Sequence, residues 1–306
     1  MTETAAARGG HAPRALATMS IGARRIRTQL SSRLTSVVVV VIAALWTVPT
    51  FGLLVTSFRP QADIQTSGWW MIFVHPNFTL DNYNQVLNAQ NSGQALTDAF
   101  VNSLVITIPG VVLPICLALL AAYAFAWTRF KGRDFLFVVI FALQIVPVQV
   151  TLVPLLNLYV GAGLAGSFWP VWISHTIFAL PLAVFLLHNF MREIPTELID
   201  AARVDGANHA VIFRSVVLPL MTPAIAAFGI FQFLWVWNDL LISLTFANTP
   251  DTNPMTLALA NLVGSRGGDW YLLSAGAFVA MIVPLGVFLA LQRYFVRGLL
   301  AGSVKG

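Results

Sequence analysis

The chain has 306 residues, of which 58% are hydrophobic and only 9% are charged, and its mean hydropathy is +0.79. Soluble globular proteins carry about 25% charged residues, so this composition excludes a water-soluble enzyme and predicts an integral membrane protein. The formal net charge of +5 would favour nucleic-acid binding in a soluble protein. Here the positions of the basic residues matter more, and no nucleic-acid partner is expected. The single cysteine, Cys116, excludes an internal disulfide.

Six apolar stretches are each long enough to cross a membrane as a helix, which takes about 20 residues. In chain order, the predicted spans are residues 35–58, 100–127, 135–156, 168–190, 219–246 and 272–295. The sequence therefore predicts an all-α membrane protein with six transmembrane helices. The third stretch is interrupted by prolines and glutamines, which predicts that it lies inside a helix bundle. Residues 1–34 are predicted to be a disordered basic tail on lipid headgroups, and residues 59–99 form the longest external loop.

The basic residues concentrate in alternate segments of the chain. Of the 17 lysines and arginines, all but Arg59 and Arg266 lie in the two termini and in the second and fourth connections. Because positive residues favour the cytoplasmic side, both termini are predicted to be cytoplasmic. A cleaved secretory signal is the alternative interpretation of the first stretch, but that stretch exceeds the signal's usual apolar core of about 7–15 residues.

Motifs for catalysis, metal binding and nucleotide binding are absent from the sequence. The two lysines, Lys131 and Lys305, are each followed by glycine, so no phosphate-binding G-x-x-x-x-G-K-[ST] loop exists. The five histidines lack the spacing of a metal site. No catalytic residue, metal or cofactor is predicted. If the chain transports a solute actively, the energy must come from an ion gradient or from a separate ATPase chain.

The fourth connection, residues 192–218, has the pattern of a helix, a turn and a second helix. Pro195 prevents the preceding span from continuing, and Thr196 is a good helix N-cap. Gly206 is predicted to adopt the left-handed conformation that ends the helix. Asn208 is predicted to cap the next helix, and Pro219 to open the fifth span. On the predicted orientation, this connection lies on the cytoplasmic surface.

This connection resembles the EAA loop of ABC-importer permeases, whose pattern is E-A-A-x3-G-x9-I-x-L-P. Asp200 takes the position of the glutamate and Val216 that of the isoleucine, and the remaining motif positions match at Ala201, Ala202, Gly206, Leu218 and Pro219. The resemblance implies a type-I ABC-importer permease of the MetI-like fold. It also implies a docking surface for a cytoplasmic ATPase, on which the two alanines form a smooth face. The predicted coupling residues are Glu197, Asp200, Ala201, Ala202, Asp205, Gly206, Ala207, Leu218 and Pro219. The alternative is an amphipathic loop that only lies on headgroups.

A second resemblance concerns residues 292–306, which are similar to the end of carbohydrate permeases related to the maltose transporter's G subunit. Residues 78–83 and 237–239 are also typical of those permeases. In that family the tail reaches the ATPase, which implies contacts for Gly302, Val304, Lys305 and Gly306 of the tail at residues 297–306. The resemblance implies import of a sugar, of the α-glucoside type, across the bacterial cytoplasmic membrane. It further implies a heterodimer with a second permease subunit, two ATP-binding subunits and an extracytoplasmic sugar-binding protein.

Polar residues at membrane depth are candidates for the substrate pathway. The candidates are Asn102, Gln144, Gln149, Gln232, Trp237 and Asn238. His175 and Asp239 are further polar groups inside the predicted spans. Interhelical hydrogen bonding, worth about 0.6–2 kcal/mol per bond, is the more common role for any one of them.

Three other functions remain open at this point, of which the third, a non-transport membrane scaffold, is favoured by no specific feature. A permease of the same fold for a non-sugar solute is the first, and the C-terminal resemblance argues against it. An ion-driven secondary transporter is the second. Such transporters usually show paired broken helices and buried ionisable residues, whereas this chain has few charges within its spans.

Overall fold

The structure is a computed structural model that describes residues 14–88, 95–262 and 270–303, and side chains over 33–88, 95–262 and 270–292. The described backbone is helical and contains no strand. The α-helices are α1 Arg14–Ser57, α2 Gln61–Thr66, α3 Asp81–Leu87, α4 Leu96–Trp127, α5 Arg133–Ala142, α6 Val148–Gly161, α7 Trp169–Arg192, α8 Thr196–Val204, α9 His209–Ile212, α10 Leu218–Trp237, α11 Leu241–Phe246, α12 Met255–Leu262 and α13 Trp270–Ser303. The chain divides into two compact units, Met1–Val55 and Thr56–Gly306.

Five helical stretches are long and apolar enough to cross a membrane, namely Arg33–Ser57, Leu96–Trp127, Trp169–Arg192, His209–Trp237 and Trp270–Gln292. The third predicted span, residues 135–156, is instead two helices, α5 and α6, that meet at an angle of 99°. The break has a local cause, because Pro147 lacks an N–H and holds the preceding Val146 extended, at ψ 118°. Counting this bent pair as one span gives the six that the sequence predicts.

Two predicted boundaries of the fifth span are wrong. The span begins at His209, before Pro219, because the π-helical turn Phe213–Val217 joins α9 to α10 and accommodates the proline. It ends at Trp237 because Asp239 starts a separate helix: its Oδ2 accepts hydrogen bonds from the amides of Ile242 and Ser243 at 3.0 and 3.1 Å. The predicted end at residue 246 therefore includes α11, a short helix after the span.

The predictions for the two terminal tails are also partly wrong. Helix α1 begins at Arg14, so the later part of the predicted disordered tail, residues 1–34, is helical. Alanine, leucine and arginine are good helix formers, which accounts for this extension. At the other end α13 continues to Ser303, so most of the predicted tail at 297–306, including Gly302, is helix. Val304, Lys305 and Gly306 lie outside the described residues.

Buried polar contacts position the described part of the segment between α1 and α4. Arg59 is only 4% exposed, and its guanidinium donates to the carbonyls of Asp63 and Ser67 at 3.1 and 3.2 Å. The Nδ2 atom of Asn82 donates to the carbonyls of Ser57 and Arg59, both at 2.9 Å. These bonds satisfy backbone groups where α1 ends, so this segment holds α3 in a fixed position.

Helices α4 and α7 form the centre of the second unit, and α10 packs against both. Small residues let α4 and α7 approach closely: Ala118, Ala122 and Ala183 are fully buried in the largest core cluster. Helix α10 also packs against α13. The coupling connection, α8 and α9, contributes Ile199 and Ile212 to the same cluster, so the core of the bundle extends into the connection.

Candidate coupling site

Helix α8 begins directly after Pro195, which is extended at φ −56° and ψ 132°. Thr196 is the first helical residue, and no side chain caps this end, so the prediction that Thr196 is the N-cap is wrong. Pro195 itself takes the N-cap position with an extended ψ, so α8 starts one residue sooner than a threonine cap would allow. Along α8, Ile199 is fully buried while Leu198 is 46% exposed.

The turn after α8 follows the prediction. Gly206 has a left-handed φ of +83°. The amide of Gly206 donates to the Arg203 carbonyl at 3.0 Å, and the amide of Ala207 donates to the Ala202 carbonyl at 2.9 Å. These bonds satisfy carbonyls at the end of the helix. The predicted cap of the next helix is also confirmed, because the Oδ1 atom of Asn208 accepts from the Val211 amide at 3.0 Å.

The two alanines of the motif lie on different faces. Ala202 packs with Ala207 against the core cluster that contains Ile199, whereas Ala201 is exposed. The prediction of one smooth face formed by Ala201 and Ala202 is therefore wrong, because adjacent helical residues point about 100° apart. One alanine anchors the connection to the bundle, and the other is available to a partner.

The exposed face of the connection combines carboxylates with apolar side chains. The predicted coupling residues Glu197, Asp200, Ala201, Asp205, Gly206 and Pro219 are all exposed, whereas Leu218 is partly buried against the core. Val204 is 87% exposed. Asp200 already has a partner within α8, since its Oδ1 lies 3.0 Å from a guanidinium nitrogen of Arg203. Both side chains of this pair remain accessible, so the pair contributes little to stability.

One contact between the connection and the bundle escaped the sequence-based predictions. The hydroxyl of Tyr123, near the end of α4, lies 3.0 Å from the Nδ1 atom of His209, and its ring packs edge-on against Phe213. Tyr123 is 7% exposed. This contact links the start of α9 to α4 through a hydrogen bond as well as through apolar packing. No motif marks either residue.

Several predicted pathway residues have structural partners. The Nε2 atom of Gln232 donates to the Gly110 carbonyl at 3.0 Å, and the Nε1 atom of Trp237 donates to the Ala280 carbonyl at 3.2 Å. The residues four positions after those carbonyls are Pro114 and Pro284, which have no N–H to close the helical bond. Gln232 and Trp237 thus replace donors that α4 and α13 lack.

A third side chain, which the sequence analysis did not single out, also donates to a carbonyl four residues before a proline. The Nε1 atom of Trp172 in α7 donates to the Val105 carbonyl at 2.9 Å, and the residue four positions on is Pro109. Each of these prolines lies within a spanning helix, where a buried carbonyl without a partner is costly. The neighbouring helices therefore supply donors at the carbonyls that the prolines leave open.

The remaining candidates differ in accessibility. Asn102 donates to the Asn253 carbonyl at 3.1 Å, and Asn238 donates to the Leu234 carbonyl in its own helix at 2.7 Å. Gln149 is exposed at the start of α6. Gln144, at the bend of the third span, lines a cavity of about 230 Å³ together with Thr151 and Trp235.

A buried histidine lies beside this cavity. His175 of α7 is fully buried, and its Nε2 atom is 3.9 Å from the Oδ2 atom of Asp239. Its ring packs edge-on against Trp235 at 5.6 Å between centroids. Neither ring nitrogen has a hydrogen-bond partner among the described residues. His175 and Trp235 therefore connect α7 and α10 on one side of the cavity.

Comparison with known proteins relates this arrangement to transport. A family described as "Binding-protein-dependent transport system inner membrane component" matches residues 114–300, which include the whole coupling connection. The osmoprotective compounds uptake permease protein GgtD of Synechocystis sp. is 53% identical over 274 residues, covering 88% of this chain and 91% of the relative. The alpha-glucoside transport system permease protein AglG of Rhizobium meliloti is 51% identical over 237 residues, covering 76% of this chain and 61% of the relative.

A solved structure shares the fold. It is a bacterial ABC transporter involved in the import of the acidic polysaccharide alginate, and one of its chains aligns with a TM-score of 0.70 at 20% identity, covering 87% of this chain and 98% of that chain. The fold is thus that of an ABC-transporter membrane subunit. The family match covers most of the chain, and close relatives align along nearly all of it. The chain therefore belongs to the family of binding-protein-dependent transport system inner membrane components, which are multi-pass transport subunits and not enzymes.

Proposed function

We propose that this chain is one permease subunit of an ABC importer for a disaccharide or oligosaccharide of the α-glucoside type. The relatives at 51% and 53% identity are named for α-glucoside transport and for uptake of osmoprotective compounds. A relative at 31% identity is a melibiose, raffinose and stachyose import permease of Bacillus subtilis. Two of these three names specify sugars with glycosidic bonds, which supports a sugar over a non-sugar solute.

The two-sided geometry of the coupling connection carries the proposal. On one side Ile199, Ala202 and Ala207 pack into the bundle core, so the connection moves with the spans. On the other side Ala201, Asp205 and the 87%-exposed Val204 form a surface of small, acidic and apolar groups. A cytoplasmic ATP-binding subunit that docks on this surface would push α8 when two such subunits close on ATP. Packing and the Tyr123–His209 bond would transmit that displacement to the spans.

The proposed assembly contains a second, different permease subunit, two ATP-binding subunits and an extracytoplasmic sugar-binding protein. Both termini and the coupling connection face the cytoplasm in this arrangement, which agrees with the concentration of basic residues in those segments. The related alginate transporter has been solved in complex with its periplasmic protein bound to an alginate pentasaccharide. The tail residues Gly302, Val304, Lys305 and Gly306 are proposed to contact the ATP-binding subunits.

Within the spans, the cavity at the bend of α5 and α6 is the proposed lining of the substrate pathway. Gln144 and Thr151 supply hydrogen-bonding groups, and the Trp235 ring supplies an apolar face. Such a combination suits a sugar, which carries hydroxyl groups at its edges and C–H groups on its faces. Gln149 lies in the next helix and is exposed. Gln232 and Trp237 are proposed to stabilise the bundle and not to contact the sugar.

The test is affinity purification of the chain from its native membranes in mild detergent, followed by mass spectrometry and uptake measurements with labelled trehalose, sucrose and maltose. We expect a second permease and an ATP-binding subunit to co-purify, and uptake of at least one sugar to require ATP. Ala201→Arg should abolish retention of the ATP-binding subunit because it adds charge and bulk to the docking surface. Ala165→Arg is the matched control, because Ala165 is also exposed but lies in the connection between α6 and α7.

The opposite outcome points to a different class of transporter. Recovery of a monodisperse chain without partners, with uptake that depends on protons or sodium, would contradict the proposal and favour a secondary transporter. The bent pair α5 and α6 is one feature that such transporters share. They usually carry broken helices in corresponding positions of two halves, however, and the described residues contain one bent pair.

A further inference from the structure

A second cavity, of about 520 Å³, lies at the end of the bundle that carries the coupling connection. Its walls come from four places: the end of α4, the first half of α5, the end of α7 and the start of α8. The lining residues that matter here are Trp127, Arg133, His188 and Arg192. Because α4 and α7 both end here, the cavity lies at the level where a spanning helix leaves the hydrocarbon core for the headgroup layer.

Two buried nitrogen atoms in this wall have no hydrogen-bond partner among the described residues. They are the Nε1 atom of Trp127, whose indole can only donate, and the Nδ1 atom of His188. His188 is 8% exposed and its ring packs against Phe137 at 4.5 Å between centroids, which fixes its position. A buried donor without a partner is costly, so the site favours a ligand that brings an acceptor oxygen.

The charges around the cavity also favour a ligand that brings acceptor oxygens. Two guanidinium groups, those of Arg133 and Arg192, face a single carboxylate, that of Asp134. Asp134 lies 2.9 Å from Arg133 and its side chain is 88% exposed, so it points mostly into solvent. Arg192 is exposed and has no ion pair among the described residues. The cavity therefore keeps an excess of positive charge and of hydrogen-bond donors.

From these contacts we propose that the cavity is a binding site for a phosphate group, supplied by the headgroup of an anionic phospholipid. Arginine pairs with phosphate oxygens through two parallel N–H donors, and Arg133 and Arg192 provide such donors from two helices. The indole N–H of Trp127 completes the set from a third. Basic pockets between spanning helices at the membrane surface are suited to anionic headgroups. The bound lipid would hold the ends of α4 and α7 and the start of α5 together beside Thr196, the first residue of the coupling helix.

The proposal is tested by native mass spectrometry of the full-length chain in detergent, titrated with phosphatidylglycerol or with phosphatidylcholine. We expect preferential retention of phosphatidylglycerol. The double variant Arg133→Gln, Arg192→Gln should weaken that retention by about tenfold or more, since charge-assisted hydrogen bonds are lost. Trp127→Phe removes one donor without a change of charge and should weaken retention by about threefold. Arg214→Gln is the matched control, because it removes an exposed arginine that does not line the cavity.

Competition with inorganic phosphate distinguishes the two sources of the phosphate group. Retention that resists excess inorganic phosphate supports a lipid ligand, because the acyl chains contribute to its binding. Displacement of the lipid by inorganic phosphate, with the same dependence on the arginines and on Trp127, would overturn the lipid as the ligand and leave a site for free phosphate. Equal retention by the wild type, both cavity variants and the control would overturn the site itself. A loss caused by Arg214→Gln as large as that of the double variant would do the same, because it would show only general attraction between opposite charges.

Discussion

The hydroxyl of Tyr123 shows how one atom can connect the coupling connection to a span. We expect Tyr123→Phe to weaken coupling, because it removes the bond to His209 Nδ1 while the ring keeps its contact with Phe213. A typical net hydrogen bond is worth about 1 kcal/mol, which corresponds to about a fivefold change in a coupling equilibrium. The measurement is the ratio of sugar transported to ATP hydrolysed in reconstituted vesicles.

The chain offers a matched control for this prediction. The hydroxyl of Tyr159 lies 3.1 Å from the hydroxyl of Ser174, in a buried pair outside the coupling connection. Tyr159→Phe removes one hydrogen bond in the same way, so it should lower thermal stability by a similar amount without changing the transport ratio. If both variants lowered the ratio equally, a specific role for Tyr123 would be excluded.

A substitution at Gly206 can test docking without unfolding the protein, because the space around this turn is open. A Cβ atom there would meet no heavy atom within 4 Å apart from those of its two chain neighbours, and aspartate tolerates the left-handed φ of +83°. We expect Gly206→Asp to leave the protein folded in the membrane but to abolish uptake, because it places a charge where an ATP-binding subunit is proposed to dock. Gly163→Asp is the control: Gly163 has a φ of +72° and equally open space. Normal uptake by the Gly206 variant would argue against docking at this turn.

At the scale of helices, a proline in one span requires a hydrogen-bond donor from a neighbouring span. Pro114 leaves the Gly110 carbonyl of α4 without a helical donor, and Gln232 of α10 fills that role at 3.0 Å. We expect Gln232→Leu to destabilise the protein by about 1–3 kcal/mol, because a buried carbonyl loses its donor. In a Pro114→Ala background, where the helical N–H is restored, the same substitution should cost clearly less. Thermal unfolding of the four proteins in detergent measures this coupling, and equal costs in both backgrounds would contradict the role of Gln232 as a replacement donor.

These relations explain which elements could be predicted from the sequence. The spans could be predicted because hydrophobic length sets them, and the turn at Gly206 because few residues adopt a left-handed φ. The bend between α5 and α6 could have been predicted from Pro147, since proline restricts the residue before it. It was missed because a proline within a span is often tolerated when neighbouring helices complete its hydrogen bonds.

The candidate pathway residues were harder to sort, because residue type does not separate packing from binding. Gln232 and Gln144 are both glutamines in apolar stretches, yet one is 1% exposed and bonded across helices while the other lines a cavity. A usable signal exists in the prolines: a proline identifies the carbonyl four residues earlier as an open acceptor. The sequence does not show which neighbouring helix faces that carbonyl. The Tyr123–His209 contact depends on the same missing information, namely the rotation of each helix.

At the scale of the whole molecule, the described part of the chain keeps the fold of the alginate importer's subunit at 20% identity and a TM-score of 0.70. A shared fold at such low identity is physically reasonable for a bundle whose helix lengths are set by the bilayer and whose core needs only small residues at close approaches. The proposals made for this chain therefore depend on local geometry, in the coupling connection, at the bend of the third span and in the cavity lined by Arg133 and Arg192.

The bent pair α5 and α6 determines on which side of the membrane each later connection and the C-terminus lie. If the pair crosses the membrane, the chain has six spans and both termini share one side; if it enters and leaves on the same side, the chain has five and the termini are separated. Cysteine labelling distinguishes the two in a Cys116→Ser background, because Cys116 is the only native cysteine. Gln65→Cys, Lys131→Cys and Ala165→Cys place exposed thiols before α4, between α4 and α5, and after α6.

We expect a membrane-impermeant maleimide added to cells with a permeable outer envelope to label Gln65→Cys and Ala165→Cys, and to label Lys131→Cys only after the inner membrane is opened. Gln65 and Ala165 should be labelled together because, if α5 and α6 cross the membrane, two spans separate these residues and they lie on the same side. Lys131 should be protected because basic connections favour the cytoplasm. If Ala165→Cys were protected together with Lys131→Cys, the pair would be re-entrant and the six-span topology would be wrong. If Gln65→Cys and Ala165→Cys were both protected while Lys131→Cys was labelled, the whole orientation would be reversed, and the coupling connection would lie outside the reach of any cytoplasmic ATPase.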